Sequence, residues 1–344
     1  MKISFYIGTL GASGGTQRML SLLTNMLIQN FRITIFHTNS DKPFYTFNEN
    51  VEFVHIQGGL FNRNLLIRKY LKKNNIKYFV SLDSNTVLLQ TLFLPLNTKL
   101  IIWEHFSIVN NYNKWYFKLS RKYAVKRAYK FVLLSDFEVL KWNEIYKLPI
   151  NKCVRIYNPV TVELENAKEI SKYQNKTFLS IGNKIDVKGF DLLLNAWKQI
   201  NSDWTLNIVG LSTNDINALK QKIEEKQIQN VLVFPKTNDI KEFYKKASVF
   251  VLSSRKEATP LVLIESQSYG LPAIVFNHLP SVIELIDNSA LIADFNTPVD
   301  SLKEKIEQII KDEKLYNELS ENAYKNATKF SVESFKNNWL KLLK

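Results

Sequence analysis

The chain has 344 residues, 45% hydrophobic and 23% charged, enough to bury a core in each of two ordinary domains and too apolar for a disordered chain. Its single cysteine, Cys153, excludes a disulfide framework, and the apolar run Cys153-Val154-Arg155-Ile156 around it suits core packing in a reducing compartment. The net charge of +14 lies wholly in the first half, where residues 1–160 hold 22 Lys and Arg against 8 Asp and Glu, while residues 161–344 hold 24 of each.

Ile3–Ile7 predicts a first strand. It is too short for the apolar core of a signal peptide and runs directly into a glycine-rich turn. Met19, Leu20, Leu22, Leu23, Met26 and Leu27 then repeat at helical spacing. Further strand-like runs follow at Ile33–Phe36, Phe53–Ile56, Tyr78–Leu82, Leu100–Trp103, Phe131–Leu134 and Val154–Ile156. Val87–Leu96 is the longest apolar stretch, but it contains Gln90, Thr91 and Pro95 and is about half the length of a membrane span. Asn158-Pro159 marks a break, and the polar stretch Glu163–Asn175 reads as a linker. Strand-like runs resume at Thr177–Ile181, Thr205–Val209, Val231–Phe234, Val249–Leu252 and Ala273–Phe276. The tail from Ser301 to Lys344 is helical, with Ser331 as an N-cap and Phe335, Trp339 and Leu342 on one face. Strand alternating with helix means an α/β architecture of parallel sheets, and twelve strands suit two Rossmann-like sheets better than one.

Two basic segments contain no acid. Arg63–Lys77 carries Arg63, Arg68, Lys69, Lys72, Lys73 and Lys77. Lys114–Lys130 carries Lys114, Lys118, Arg121, Lys122, Lys126, Arg127 and Lys130, interleaved with Trp115, Tyr116, Phe117, Tyr123 and Tyr129. Basic residues among aromatics suit an anionic membrane surface, where each adds about 1 kcal/mol. The same pattern is compatible with nucleic acid, or with a plain solvated helix face.

Gly8, Gly11, Gly14 and Gly15 follow the first strand and precede a helix, a place where backbone N–H groups can meet phosphate. The spacing is not that of a dinucleotide fingerprint, and His37 rather than an acid ends the second strand region. The sharper pattern is Ser253 to Pro272. It places Glu257 in a loop after one strand and Glu265 eight residues on, inside a helix, behind the apolar run Leu261–Ile264. A carboxylate buried there needs hydrogen-bond donors, which a ribose diol or a buried cation can supply. No D-x-D pair occurs, and His37, His55, His105 and His278 are scattered, so no metal is expected.

This run resembles the E-x7-E signature of retaining glycosyltransferases of family 4, which have the GT-B fold, and the resemblance extends over essentially the whole chain. Phe178–Phe190 is similar to that family's strand-turn-KG motif, Leu206–Gly210 to the strand ending beside the nucleotide base, Gly14-Gly15 to its N-terminal glycine loop, and Tyr157–Val160 to its hinge. Trp103–Ser107 resembles the EH segment of many capsule and O-antigen transferases. The resemblance implies an N-terminal acceptor-binding Rossmann-like domain over 1–160, a nucleotide-sugar-binding one over 161–328, and a helix over 329–344 returning to the first. It further implies a metal-independent, cofactor-free transfer of a hexose or N-acetylhexosamine from a nucleotide-sugar, expected to be a UDP-sugar. The acceptor would be a lipid-linked or oligosaccharide surface glycan, at the cytoplasmic face of the membrane.

Carried over by position, the resemblance gives Glu265 the ribose hydroxyls and Glu257 the donor sugar. Lys188 would meet the departing diphosphate, and His105 the sugar pocket. Gly14, Gly15, Gly182, Asn183, Lys184, Gly210, Arg255, Thr259, Pro260 and Leu261 would complete the donor site. Where the family usually has Arg, this chain has Asn183, so either Lys184 or Arg255 supplies the missing charge or the leaving group is held more weakly. A GT-B nucleotide-sugar epimerase and a basic nucleic-acid-binding protein are the competing readings. The basic first half argues against the epimerase, and nucleic acid is not expected as a partner.

Overall fold

The structure is a computed structural model that describes residues 1–85, 87–109, 114–161, 172–237 and 239–344. Most of the stretch read as a linker, 163–171, lies outside the described residues. The chain forms two compact units, one of Met1–Asn158 with Glu333–Lys344 and one of Pro159–Val332.

The first unit is built on seven strands: β1 (Lys2–Ile7), β2 (Arg32–His37), β3 (Glu52–His55), β4 (Tyr78–Ser81), β5 (Lys99–Trp103), β6 (Lys130–Leu133) and β7 (Cys153–Arg155). They lie in the order β3-β2-β1-β4-β5-β6-β7, every pair parallel, with Ile3 opposite Ile33 and Phe5 opposite Ile35. The second unit has six strands: β8 (Thr177–Ile181), β9 (Thr205–Leu211), β10 (Val231–Pro235), β11 (Val249–Leu252), β12 (Ala273–Phe276) and β13 (Ala290–Ala293). Their order is β10-β9-β8-β11-β12-β13, again all parallel. Counted within its unit, the first sheet runs 3-2-1-4-5-6-7 and the second 3-2-1-4-5-6, the doubly wound Rossmann order, with the direction of winding reversing beside the first strand of each.

The central strands β4, β11 and β12 are buried along their whole length, which is why they read as unbroken apolar runs in the sequence. The edge strands β3 and β10 are half-exposed. β13, a thirteenth strand beyond the twelve expected, is also an edge strand. Its short Ala-Leu-Ile-Ala run faces solvent on one side and offered too little periodicity to separate it from a loop.

In the first unit, Phe36, Phe79, Phe131 and Trp142 anchor one core cluster. In the second, Phe178, Trp197, Trp204 and Tyr316 do the same. The last helix, Val332–Leu342, returns to the first unit and packs against β5. Trp339 meets the Trp103 ring edge-on at 4.8 Å, and Phe335 lies 6.2 Å from it. Ser331 stands directly before this helix, but the buried stripe is Phe335, Trp339 and Leu343 at four-residue spacing, with Leu342 only half-buried.

The basic segments divide by exposure. Lys69, Lys72 and Lys73 stand exposed on the helix Leu60–Lys73, as do Lys118, Lys122 and Lys126 on Trp115–Arg127. Arg121, counted among that cationic face in the sequence, is instead buried to 4% exposure beneath it, 5.9 Å from the ring centroids of Trp142 and Tyr146. Arg68 and Arg127 turn inward to the carbonyls of Phe93 and of Pro95 and Thr98. Cys153 is half-buried in β7, and burial raises its thiol pKa. Among the described residues no helix is long and apolar enough to cross a membrane.

Trp339 is wholly buried, so Trp339→Ala is expected to cost the first unit about 3–5 kcal/mol. Chemical denaturation followed by tryptophan fluorescence would measure it; a loss below about 1 kcal/mol would show that the helix is only loosely docked.

Candidate active site

In a doubly wound sheet the loops at the carboxyl ends of the strands converge beside the switch point. In the second unit those loops belong to β8, β9 and β11, and three glycines set how closely they approach. Gly182 ends β8, and Lys188 lies across it so tightly that an added Cβ would come within 2.3 Å of the lysine Cγ. Gly210, near the end of β9, holds a φ of +108°, with the Gly182 carbonyl 2.9 Å from where its Cβ would be. Gly189 has φ +64° and would put a Cβ 2.0 Å from the Ser253 carbonyl, so only glycine fits.

The short helix Ile185–Lys188 is thereby pressed against the loop after β11. Ser253 Oγ donates to the Lys188 carbonyl at 2.8 Å, and the Arg255 N–H donates to the Val187 carbonyl at 2.9 Å. Arg255 forks onto both carboxylate oxygens of Asp191 at 2.7 Å and also reaches the Asp186 carbonyl. That fork holds Asp191 below the usual carboxylate range and raises Arg255 above its own. Arg255 therefore braces the loop through Asp191 and the Asp186 carbonyl. Lys184, beside Asn183, is exposed.

The same bracing brings Lys188 and Glu257 together. Lys188 Nζ lies 2.6 Å from Glu257 Oε1, which also accepts from Ser254 Oγ at 2.7 Å. Both side chains are mostly buried, at 17% and 11% exposure, so the pair is only weakly screened by water. Beyond the loop, Thr259 is buried, with its Oγ1 lacking a partner among the described residues. Pro260 caps the helix Leu261–Ser268, whose first N–H groups face away from the helix body. Glu265 is 1% exposed and accepts from Tyr244 OH at 2.9 Å and from the Thr161 hydroxyl. The acid at position 265 is thus buried and satisfied by hydroxyl donors. His278 follows β12, stacks on Phe295 at 3.6 Å and is pushed down in pKa by burial.

The structure brings Gly182, Lys188, Gly210, Arg255 and Glu257 into one cluster. Sequence reasoning missed Asp191, Ser253 and Ser254, which hold that cluster, and Tyr244 and Thr161, which hold Glu265. Asp191 had a signal in its place just after Lys188-Gly189-Phe190; Tyr244 had none. Gly14, Gly15 and His105 belong to the first unit. Gly14 precedes the helix Gly15–Leu27, and its Cβ would lie 2.9 Å from Gln17 Oε1. His105 follows β5, its ring 4.4 Å from that of Trp103, and desolvation pushes it down to about 3, so it is neutral at physiological pH. Among the described residues no group of three or more His, Cys, Asp or Glu is placed to hold a metal.

Residues 162–326 match the family Glycosyl transferases group 1. The chain is 29% identical to an uncharacterized glycosyltransferase of Haemophilus influenzae over 99% of both chains. It is 25% identical to the amylovoran biosynthesis glycosyltransferase AmsD of Erwinia amylovora, over 99% of both. A GalNAc-α-(1→4)-GalNAc-α-(1→3)-diNAcBac-PP-undecaprenol α-1,4-N-acetyl-D-galactosaminyltransferase of Campylobacter jejuni is 26% identical, over 100% of this chain and 98% of that one. Among solved structures, Anabaena HepE in complex with UDP superposes with a TM-score of 0.84 at 15% identity, covering 100% and 99% of the two chains. Two Rossmann-like units of parallel sheet define the GT-B fold class of glycosyltransferases. The protein is a glycosyltransferase, and its residues 162–326 are similar to the group 1 family.

Arg255→Met is expected to lower stability at pH 7 by about 1 kcal/mol, since the half-exposed fork is partly screened. A carboxyl whose folded pKa is depressed contributes stability above its unfolded value and loses it as pH falls through the folded one. The deficit should therefore shrink below pH 3.8, the ordinary value of Asp191. Urea unfolding across pH 2.5–7 tests this, and a deficit constant with pH would deny the fork its role.

Proposed function

We propose that the protein transfers a hexose or N-acetylhexosamine, with retention of anomeric configuration, from a UDP-sugar to a growing lipid-linked surface polysaccharide. No metal takes part. The observation that carries this reading is the Lys188–Glu257 pair, held at the carboxyl ends of β8 and β11 within the stretch similar to the group 1 family. Breaking the anomeric C–O bond leaves negative charge on a diphosphate and builds positive charge on the sugar. A site with one cation and one carboxylate side by side can meet both.

Lys188 neutralises the diphosphate, and Lys184 adds charge beside Asn183. The amides at Thr259 and Leu261, with the turn through Pro260, face sugar or phosphate. Glu257 meets the sugar hydroxyls next to the reacting carbon, and Glu265 takes the ribose hydroxyls in competition with Tyr244 and Thr161. Gly182 and Gly210 let the ends of β8 and β9 pack closely beside the donor. In the first unit, Gly14 and Gly15 are suited to phosphate, and His105, neutral, to sugar hydroxyls. The UDP preference is supported by HepE, solved with UDP. The polysaccharide and lipid-linked readings are supported by the names of the Erwinia and Campylobacter relatives.

The acceptor's lipid would place the enzyme at the cytoplasmic face of the membrane. Helices Leu60–Lys73 and Trp115–Arg127 support that, because exposed Phe61, Leu66 and Trp115 stand beside exposed Lys69, Lys72, Lys118 and Lys122. Apolar and cationic groups on one helix surface suit an anionic interface.

A thermal-shift screen against UDP-, GDP- and ADP-sugars is expected to single out UDP-sugars. Lys188→Ala should cut turnover about 10²–10³-fold. Glu265→Ala should weaken nucleotide binding about tenfold or more, and EDTA should leave turnover unchanged. Stabilisation by no sugar nucleotide, or full turnover in Lys188→Ala, would defeat the reading. Lys118→Glu, Lys122→Glu and Lys126→Glu together are expected to release the protein from anionic vesicles in flotation; undiminished flotation would remove the membrane from the account.

A further inference from the structure

Two deeply buried carboxyl groups of the first unit have no part in the chemistry above. Glu104, 4% exposed, follows Trp103 at the end of β5, and Glu138, 3% exposed, lies in the first turn of the helix Asp136–Tyr146. Both bond within segment 104–108, to which Glu104 itself belongs, and Glu104 also bonds Ser84. Glu104 Oε1 accepts the Phe106 N–H at 3.2 Å, while its Oε2 bonds the Ser84 hydroxyl and accepts the Ser84 N–H at 3.3 Å. Glu138 Oε1 bonds the Ser107 hydroxyl, and Oε2 accepts the Ile108 N–H at 3.0 Å. Segment 104–108 is neither helix nor strand, so these carboxyl groups supply the partners that a backbone ladder supplies elsewhere. His105 sits inside the segment, its Nε2 buried and without a hydrogen-bond partner among the described residues.

We propose that Glu104 and Glu138 are positioning residues that fix the His105 imidazole by holding the two ends of segment 104–108, Glu104 acting as a neutral acid. The charged surroundings support the neutral form. Asp83, from the loop after β4, faces Glu104, and Arg121, from the helix Trp115–Arg127, acts on Asp83, Glu104 and Glu138 alike. Burial first, and then the Asp83 charge, raise Glu104 to about 8, against the opposing pull of Ser84, Arg121 and the Phe106 N–H. Burial likewise raises Glu138 and Asp83. One cation cannot balance three buried carboxylates, so one of them keeps its proton near neutral pH. A protonated Glu104 can share that proton with the Ser84 hydroxyl and still accept from Phe106.

The effect on catalysis rests on the reading of His105 as lining the sugar pocket; the positioning itself does not, and it is tested without substrate. In the wild type, ring-carbon NMR of His105, assigned with His105→Asn, should show a neutral imidazole down to about pH 5 and a changed environment as pH rises through about 8. Glu104→Gln, neutral and of the same shape, should keep the imidazole neutral and remove the change near pH 8. Glu104→Ala should let His105 titrate near the ordinary 6.5. Should that variant not fold, Ser84→Ala deletes only the hydroxyl partner and should move His105 in the same direction by less. An unmoved His105 in Glu104→Ala, or in Ser84→Ala if that is the variant that folds, would overturn the proposal. So would a Glu104→Gln spectrum as displaced as that of Glu104→Ala. UDP titration of the same samples separates the two claims: absent wild-type binding tells against the donor reading alone.

Discussion

Every strand pairing in both sheets is parallel, and a parallel neighbour can be reached only by carrying the chain back across the sheet. All carboxyl ends in a unit therefore emerge along one edge. The clustered residues are separated widely in sequence but not along that edge: Gly182 and Lys188 follow β8, Gly210 lies near the end of β9, and Glu257 follows β11. Backbone geometry then sets the distances. With Gly189 at φ +64° and Gly182 covered by the lysine stem, the β8 and β11 loops close until Lys188 and Glu257 touch.

Charge in this cluster is divided between two pairs with different duties. The Arg255–Asp191 fork is bidentate and rigid, and it also ties down the Asp186 carbonyl. A guanidinium so engaged makes a good brace. The Lys188–Glu257 contact is a single bond between flexible side chains, and an ammonium on a four-carbon stem can turn to a new partner at little cost. Arginine in the brace and lysine in the single-bond pair follow from those properties.

The fold was legible because buried parallel strands write themselves as apolar runs; β8, β11 and β12 begin and end where the sequence placed them. β13 was not, because an edge strand of Ala-Leu-Ile-Ala needs apolar residues on one side only. In the site, the eight-residue spacing of Glu257 and Glu265 was visible. Their hydroxyl partners were not, since Ser254 is an ordinary loop residue and Tyr244 lies on another helix. Arg255 and Arg121 show the limit from the other side. Arg121 reads as a surface cation and Arg255 as a charge for the donor site, and only three-dimensional neighbours reveal that a buried acidic cluster surrounds the first and Asp191 claims the second.

The helix that carries Trp339 closes over Trp103, a residue made far earlier in synthesis. As the chain leaves the ribosome, the first unit has all seven strands long before it has the lid over β5. Until residues 333–344 have been made, the indole of Trp103 lacks its cover, and the unit is complete only after the second one has already been made. Loss of residues 333–344, by early termination or by a protease, would therefore strike the first unit and spare the second, although the second is next to the cut.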